Sequence, residues 1–390
     1  MSEFKLTTVE EFEAATNRLL ETGAKVGADS WQMRVKNQTP HCKFGEQGIC
    51  CRICSMGPCR ITSKAPRGIC GCDAHGIVGR NYLKFTAGGA SAHSDHGREI
   101  CITLGHAKEG GDYQVKDPEK LIRIAKEWGI ETEGKDIYAL AHEVAEVGLM
   151  EYGKPFGYQR FLDRMPAGQK EKLIEDEIAP RAIDREVSSS LHMTHMGCSS
   201  LPEALVKQSI RCGLADGWGG SMMGTEFSDV LFGTPKPIDT EANLGVMVEE
   251  NVNIVVHGHD PSLSEMICEY ADDPEMIAYA KEMGAKGITV SGVCCTSNEV
   301  AMRRGIPMAG NFLQQENVVL TGACEAIVVD VQCIFPALGP LSKCFHTKFI
   351  TTSPICQMPD SDFIEFDAGT AGEKAKQIVK LACENFKNRK

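Results

Sequence analysis

The chain has 390 residues, of which 42% are hydrophobic and 24% charged, a composition typical of a folded protein of two or three domains that excludes a disordered or fibrous chain. Its net charge of -12 argues against a general affinity for nucleic acid or for an anionic membrane surface. No apolar run reaches the roughly 18 residues of a membrane span and the N-terminus lacks a signal pattern, so we expect no membrane span and a cytoplasmic location.

The first part of the chain predicts helices and almost no strands. Thr8 and Glu11 form a capping box in front of an amphipathic pattern that ends near residue 23. Two more helices are expected over 117–129 and 136–150, because each pattern begins at an aspartate and has apolar residues at helical spacing.

From residue 233 onward, short β-branched runs alternate with helical patterns. The expected strands are 251–256, 287–292, 326–330 and 348–352, and a closing helix is expected over 370–386. Alternation of this kind predicts a parallel sheet. The predicted fold is therefore mixed, with a helical domain over 1–232 and an α/β domain over 233–390.

Eighteen cysteines are unusual for such a chain, and seven of them lie between positions 42 and 72. Cysteines of a cytoplasmic protein are kept reduced, so metal binding is favoured over a disulfide framework. Four of the seven, spaced C-x2-C-x4-C-x10-C, are Cys51, Cys54, Cys59 and Cys70.

This four-cysteine group lies in a segment rich in glycine and proline, which suits a 4Fe–4S cluster because four thiolates must converge on the cluster from different directions. A zinc site is the alternative. Zinc sites usually show two matched C-x2-C pairs, whereas only Cys51 and Cys54 form such a pair here. The spacing therefore favours the iron–sulfur cluster.

Cys42 and Cys50 precede the four-cysteine group, and two ligands do not complete a cluster. If a second copy of the chain supplied the same two cysteines, four ligands would meet on a two-fold axis. The cysteine count thus suggests a homodimer with a shared cluster.

His93 and His96 lie three residues apart and would share one face of a helix. Such a pair could relay protons, since imidazole gains and loses a proton near neutral pH. The alternative is a pair of surface histidines without a chemical role, which the residues alone leave open.

Potential ligands also follow the expected buried strands. They are His257 and His259, the pair Cys294 and Cys295, and Cys333. Ligands of parallel sheets bind at the carboxyl ends of the strands, so the joint position of these residues suggests a site. Taken singly, each cysteine could equally be a small buried hydrophobic residue.

The string CKFGEQGICCRICSMGPCR, followed by Cys70, AHSDH, LFGTP, HGHDP, GVCCTSNE and DVQCIFP in this order, closely resembles the anaerobic nickel-iron carbon monoxide dehydrogenases over nearly the whole chain. The resemblance implies a helical domain followed by Rossmann-like α/β domains. It implies an oxidoreductase that interconverts carbon monoxide and water with carbon dioxide, two protons and two electrons. The implied partners are ferredoxin or a similar electron acceptor, and acetyl-CoA synthase.

The resemblance also implies how the metal ligands are divided. The four-cysteine group would hold a 4Fe–4S cluster within one subunit, and Cys42 and Cys50 would share a cluster between two subunits, either 4Fe–4S or 2Fe–2S. His259 and Cys295 would bind the unique iron of a nickel–iron–sulfur centre, and Cys333 would bind its cubane portion. Cys294 and His257 are left with supporting roles.

By the same resemblance, His93 matches the histidine that hydrogen-bonds the substrate, His96 begins the proton path, and Asp216 matches a nearby carboxylate. Members of the family often have more histidines along this path. Glu99 and Ile102 stand at the corresponding positions, so the resemblance implies a histidine path only as far as His96.

Chains of this family continue into a second Rossmann-like domain that carries the remaining ligands. We therefore expect a truncated or split enzyme, inactive without a separate C-terminal polypeptide. One alternative is an iron–sulfur electron-transfer or dimerisation module without turnover. Another is a hybrid-cluster hydroxylamine reductase, which has a similar cysteine-rich beginning, although HGHDP, GVCCTSNE and DVQC fit the carbon monoxide enzyme better.

Overall fold

The computed structural model describes residues 9–389, with side chains from residue 13. The expected capping box of Thr8 and Glu11 lies outside these described side chains. The chain divides into two compact units, a helical unit of Pro40–Gly233 and an α/β unit that combines the residues up to Thr39 with those from Thr234. Two helices precede the helical unit, α1 (Val9–Lys25) and α2 (Trp31–Asn37).

These first helices belong with the α/β unit, which differs from the expected division at residues 232 and 233. The indole N–H of Trp31 donates to the carbonyl of Leu313 at 2.8 Å, and its backbone N–H donates to buried Glu316 at 2.6 Å. Arg34 forms an ion pair with the same carboxylate. Helical periodicity predicts a helix but not the core against which it packs, so the packing of α1 and α2 in the α/β unit could not be predicted from the sequence.

The helical unit is built around one helix of 32 residues. Its helices are α3 (Lys43–Glu46), α4 (Ala74–Gly105), α5 (Pro118–Glu127), α6 (Ile137–Gly153), α7 (Gln169–Glu175), α8 (Ile183–Thr194), α9 (Pro202–Ala215) and α10 (Met222–Phe232). The long helix α4 packs against α6, α8, α9 and α10. Two short antiparallel strands, β1 (Cys50–Cys51) and β2 (Cys59–Arg60), lie in the cysteine-rich segment.

Side-chain caps begin the helices that the sequence predicted. The Asp117 carboxylate accepts from the N–H of Lys120 at the start of α5, and Asp136 accepts from the first N–H groups of α6. Trp128 then packs its ring against Phe161 and Phe227, with centroids 5.2 and 5.8 Å apart. Both expected helices are confirmed.

The α/β unit contains a six-stranded parallel sheet. Its strands are β3 (Val252–Gly258), β4 (Ile288–Val293), β5 (Met308–Gly310), β6 (Ala326–Val329), β7 (Lys348–Thr351) and β8 (Asp362–Phe363). Its helices are α11 (Pro261–Ala271), α12 (Pro274–Glu282), α13 (Cys294–Arg304), α14 (Gln315–Leu320), α15 (Leu338–Lys343) and α16 (Ala371–Asn385).

The strand order is β5-β4-β3-β6-β7-β8. The strands β4 and β5 therefore lie on one side of β3, and the later strands β6, β7 and β8 lie on the other. This arrangement creates a topological switch point between β3 and β6, where ligands of open α/β sheets bind. The four expected strands are confirmed. The edge strands β5 and β8 are only three and two residues long, too short to show a sequence pattern.

The predicted mixed fold is thus confirmed. Within residues 9–389, no helix is both long and apolar enough to cross a membrane.

Candidate functional site

The four-cysteine group lines one cavity of the helical unit. The loops are held by short-range contacts: Cys51 lies opposite Cys59 in the β1–β2 pair, and the N–H of Ile69 donates to the Cys59 Sγ at 3.4 Å. Gly68 fits against Cys59, because a Cβ at this position would lie 3.5 Å from the sulfur. The sequence therefore folds into a compact thiol pocket.

Cys72 and Arg80 are among the other residues that line the same cavity. The backbone N–H of Cys72 and the Arg80 guanidinium lower the pKa of the Cys70 thiol. Burial raises the pKa of Cys72 instead. Of these two neighbouring thiols, Cys70 is thus the better prepared to act as a thiolate ligand.

Cys42 and Cys50 lie at the edge of this segment. Cys42 is exposed immediately before α3, and Cys50 is half-buried in β1. The Asn81 side chain, on α4, donates to the carbonyls of Gly48 and Cys50, both at 3.0 Å. This contact fixes Cys50 against the long helix.

His93 and Asp216 meet within the helical unit, although 123 residues separate them in the chain. The Nδ1 of His93 lies 2.6 Å from the Asp216 Oδ1 and 3.3 Å from the Ser221 Oγ. The hydrogen bond to Asp216 raises the pKa of His93. Such a pair can hold and release a proton near neutral pH.

A π-helical turn, Asp216–Ser221, presents this carboxylate and hydroxyl between α9 and α10. The turn comes close to α4, since a Cβ at Gly220 would lie 2.9 Å from the Cβ of His93. His96 lies one helical turn further along α4 and packs on Gly224, where a Cβ would lie 2.9 Å from the imidazole ring. Gly220 and Gly224 therefore let the two histidines of α4 pack closely against the π-helical turn and α10.

In the α/β unit, three predicted ligands follow the three central strands. His257 at the end of β3 is in register with Val293 and Val329, the last residues of β4 and β6. His259, Cys295 and Cys333 follow these positions in the chain. All three therefore lie beyond the carboxyl ends of adjacent strands, at the switch point. We refer to these three as the strand-end group.

Backbone strain is concentrated beside the strand-end group. Cys294, Gln332 and Cys333 have φ values of 66°, 66° and 58°, although they are not glycines. Left-handed non-glycine residues are uncommon and persist where the surrounding structure enforces them, often at functional sites.

Asp330 holds the loop that carries His259. Its carboxylate accepts from the N–H groups of His259 at 2.6 Å and Asp260 at 3.1 Å. Gly258 passes so close, with φ at 135°, that a Cβ there would collide with this carboxylate. Burial raises the pKa of Asp330 well above its usual range.

His257 lies inside the fold and is fixed by Gln315. Its Nε2 is 3.1 Å from the Gln315 Oε1, and because an amide oxygen only accepts, His257 is the donor. Burial lowers the pKa of His257 to about 4, so the ring is neutral at physiological pH. The Gln315 Nε2 in turn donates to the Cys333 carbonyl at 2.9 Å.

Within the described part of the chain, no three His, Cys, Asp or Glu side chains converge as the ligands of a single metal ion. The thiolates of an iron–sulfur cluster bind different irons and so lie further apart than the ligands of one ion.

A model of the Prismane/CO dehydrogenase family matches residues 49–390 of the sequence. The chain belongs to the Prismane/CO dehydrogenase family. Its similarity to carbon monoxide dehydrogenase 1 of Methanosarcina mazei is 47% identity over 382 residues, covering 97% of this chain and 61% of the relative.

Two other relatives extend this finding. The carbon monoxide dehydrogenase/acetyl-CoA synthase subunit beta of Moorella thermoacetica is 43% identical over 361 residues, covering 90% of this chain and 53% of the relative. A nickel-free crystal structure of carbon monoxide dehydrogenase from Thermococcus sp. AM4 is 49% identical with a TM-score of 0.92, covering 95% of this chain and 60% of that one. The chain therefore spans about three fifths of the length of its first relatives.

Sequence reasoning missed several residues of these sites. Ser221 and Gln315 gave no signal, because each acts through contacts with residues far along the chain. Arg80 showed only as one of six basic residues within 41–80, and its position beside the cysteines was not predicted. Asp330 did give one, since an acidic residue directly after a buried strand and three positions before Cys333 is typical of a site.

Proposed function

We propose that this chain acts in the reversible oxidation of carbon monoxide with water to carbon dioxide, two protons and two electrons. The observation that carries the proposal is the strand-end group, which combines one imidazole and two thiols at the switch point of a sheet in this family. The hydroxylamine reductase alternative has no comparable support, because the relatives reported above are named carbon monoxide dehydrogenases.

The donor set of the strand-end group fits a nickel–iron–sulfur centre. Thiolate and imidazole ligands suit nickel and iron, whereas magnesium and calcium require oxygen ligands. When bound, the centre would supply the Lewis-acid and redox chemistry of the reaction. His259, Cys295 and Cys333 would hold part of it, with Asp330 and Gln315 fixing the backbone on which two of them lie.

The four-cysteine group fits a 4Fe–4S cluster that carries the electrons away. Four thiols and a buried guanidinium face one cavity, which suits an anionic, thiolate-bound cluster better than a neutral ligand.

Cys42 and Cys50 would share a second cluster with another copy of the chain in a homodimer. Cys42 is exposed, as a ligand at an interface between copies must be before assembly. Next to Cys50, α4 exposes the apolar residues Val78, Tyr82 and Phe85 at helical spacing, with Phe85 81% exposed. An apolar helix face of this kind supports burial against a second copy.

His93 would accept and pass on a proton of the reaction. Asp216 binds the Nδ1 side of the ring, which orients the imidazole and stabilises its protonated form. The ring can then take up a proton and release it again near neutral pH. His96, one turn away on α4, would take the proton further.

The proposed partners are ferredoxin or a similar electron acceptor, and acetyl-CoA synthase, whose name the Moorella relative carries. We place the protein in the cytoplasm, where cysteines that are to bind clusters are kept reduced.

Carbon monoxide-dependent reduction of methyl viologen tests this function in protein prepared anaerobically with iron and nickel. The chain is assayed alone and co-expressed with the remaining part of the Methanosarcina mazei relative. We expect turnover in the co-expressed preparation, its loss in Cys295→Ser, and its retention in the control Cys344→Ser. Absence of turnover in both preparations, with nickel and iron incorporated, would contradict the proposal.

A further inference from the structure

Arg80 is a buried arginine of α4 that reaches the thiol pocket. Only 3% of the residue is exposed. Its Nε donates to the carbonyl of Ser199 at 2.6 Å, and its Nη1 lies 3.8 Å from the Sγ of Cys70, within hydrogen-bonding distance for sulfur. The Ser199 contact fixes the guanidinium so that one edge faces the cysteines.

Among the side chains of residues 13–389, no Asp or Glu oxygen lies within ion-pair distance of the Arg80 guanidinium, whose contacts are the Ser199 carbonyl and the Cys70 sulfur. A buried cation without a counter-charge is strongly destabilising, and arginine does not escape by losing its proton. The compensating negative charge must therefore come from the cavity that Arg80 and the four-cysteine group line together.

We propose that Arg80 sets the reduction potential of the cluster held by the four-cysteine group, by donating a hydrogen bond to the Cys70 thiolate and placing a fixed positive charge beside it. The inference rests on the proposed 4Fe–4S cluster but not on carbon monoxide oxidation. It assigns Arg80 a tuning role and makes Cys70 the ligand through which it acts.

The direction of the effect follows from electrostatics. Reduction adds one electron to an already anionic cluster, and a nearby cation stabilises the reduced form more than the oxidised form. Hydrogen bonds to cluster sulfurs act in the same direction. Arg80 thus raises the potential, which makes the cluster a better electron acceptor.

The test is an EPR-monitored redox titration of the anaerobically purified protein with Arg80→Met and Arg80→Lys. Arg67→Met is the matched control, because it removes the same charge from an exposed position in the cysteine-rich segment. We expect a more negative midpoint potential in Arg80→Met, a smaller shift in Arg80→Lys, and no shift in the control.

Unchanged potentials in all three variants would overturn the inference, as would equal shifts in Arg80→Met and Arg67→Met. If Arg80→Met holds no cluster but Arg80→Lys holds one near the parent potential, the charge role is supported. Loss of the cluster in both would assign Arg80 to folding of the segment and refute tuning. Parent protein with zinc and no iron would refute the cluster itself, whereas a shifted potential without carbon monoxide turnover would refute only the proposed activity.

Discussion

Replacing Gln315 by Met removes the hydrogen bonds of one buried side chain. That side chain links His257 of β3 to the loop that follows β6. The Gln315 amide donates to the carbonyls of Phe312 at 2.6 Å and Cys333 at 2.9 Å. Its oxygen accepts from the N–H of Phe335 at 2.8 Å and from the His257 ring at 3.1 Å. Met has nearly the same length and volume, so the change removes hydrogen bonds without leaving a large cavity.

The cost follows from the groups left without partners. Each buried polar group that loses its hydrogen bond costs roughly 1–3 kcal/mol. Water can reach the carbonyls of Phe312 and Cys333, because both residues are exposed, so the groups that lose a buried partner are the Phe335 N–H and the Nε2–H of His257. We therefore expect Gln315→Met to lower the free energy of unfolding by about 3 kcal/mol.

Guanidinium unfolding followed by circular dichroism measures this loss in the metal-free protein. Gln357→Met serves as the control, because Gln357 is exposed in the same unit and its replacement should change stability by less than about 0.5 kcal/mol. A loss below about 1 kcal/mol for Gln315→Met would refute the assigned role.

Three further predictions concern single residues. Gly258→Ala should lower the free energy of unfolding by at least about 2 kcal/mol, because φ is 135° and a Cβ would meet the buried Asp330 carboxylate. The control Gly287→Ala should be tolerated, and equal unfolding free energies of the two variants would contradict the prediction. The pKa of His93, measured by NMR, should fall in Asp216→Asn, since the hydrogen bond to the Asp216 carboxylate raises that pKa in the parent. The His93–Asp216 pair stabilises the folded parent below the unfolded-state pKa of about 6.5. This stabilisation disappears as the pH rises through the raised pKa of the folded state. Burial lowers the pKa of His257 to about 4. As the pH falls from about 6.5 to about 4, the free energy of unfolding of the parent should therefore decrease by up to about 3 kcal/mol relative to that of His257→Asn. Parallel curves of unfolding free energy against pH for the two proteins would contradict burial of a neutral ring.

The sequence predicts those parts of the fold that have a strong local pattern. The strand β3 is buried along its whole length, so its run of β-branched residues identifies it directly. The edge strand β8 has two exposed residues and no such pattern. The packing of α1 and α2 in the α/β unit depends on contacts such as that of Trp31 with Leu313. No local sequence pattern encodes contacts between residues so far apart in the chain.

The candidate sites divide in the same way. Cysteine spacing marks the four-cysteine group, because its four members lie close together in the chain. Arg80 reaches its Ser199 partner across 119 residues, and the charge it brings to the pocket is visible only in the folded chain. Asp216 entered through the resemblance alone, since nothing in its local sequence points to His93.

Iron, acid-labile sulfide and zinc in the anaerobically purified protein decide most directly whether this chain is an iron–sulfur protein. We expect about four irons and four sulfides per chain, or more, with a reduced-cluster EPR signal that is lost in Cys54→Ser and kept in Cys344→Ser. One zinc per chain, with no sulfide and no EPR signal, would contradict the cluster on which the proposed electron path depends.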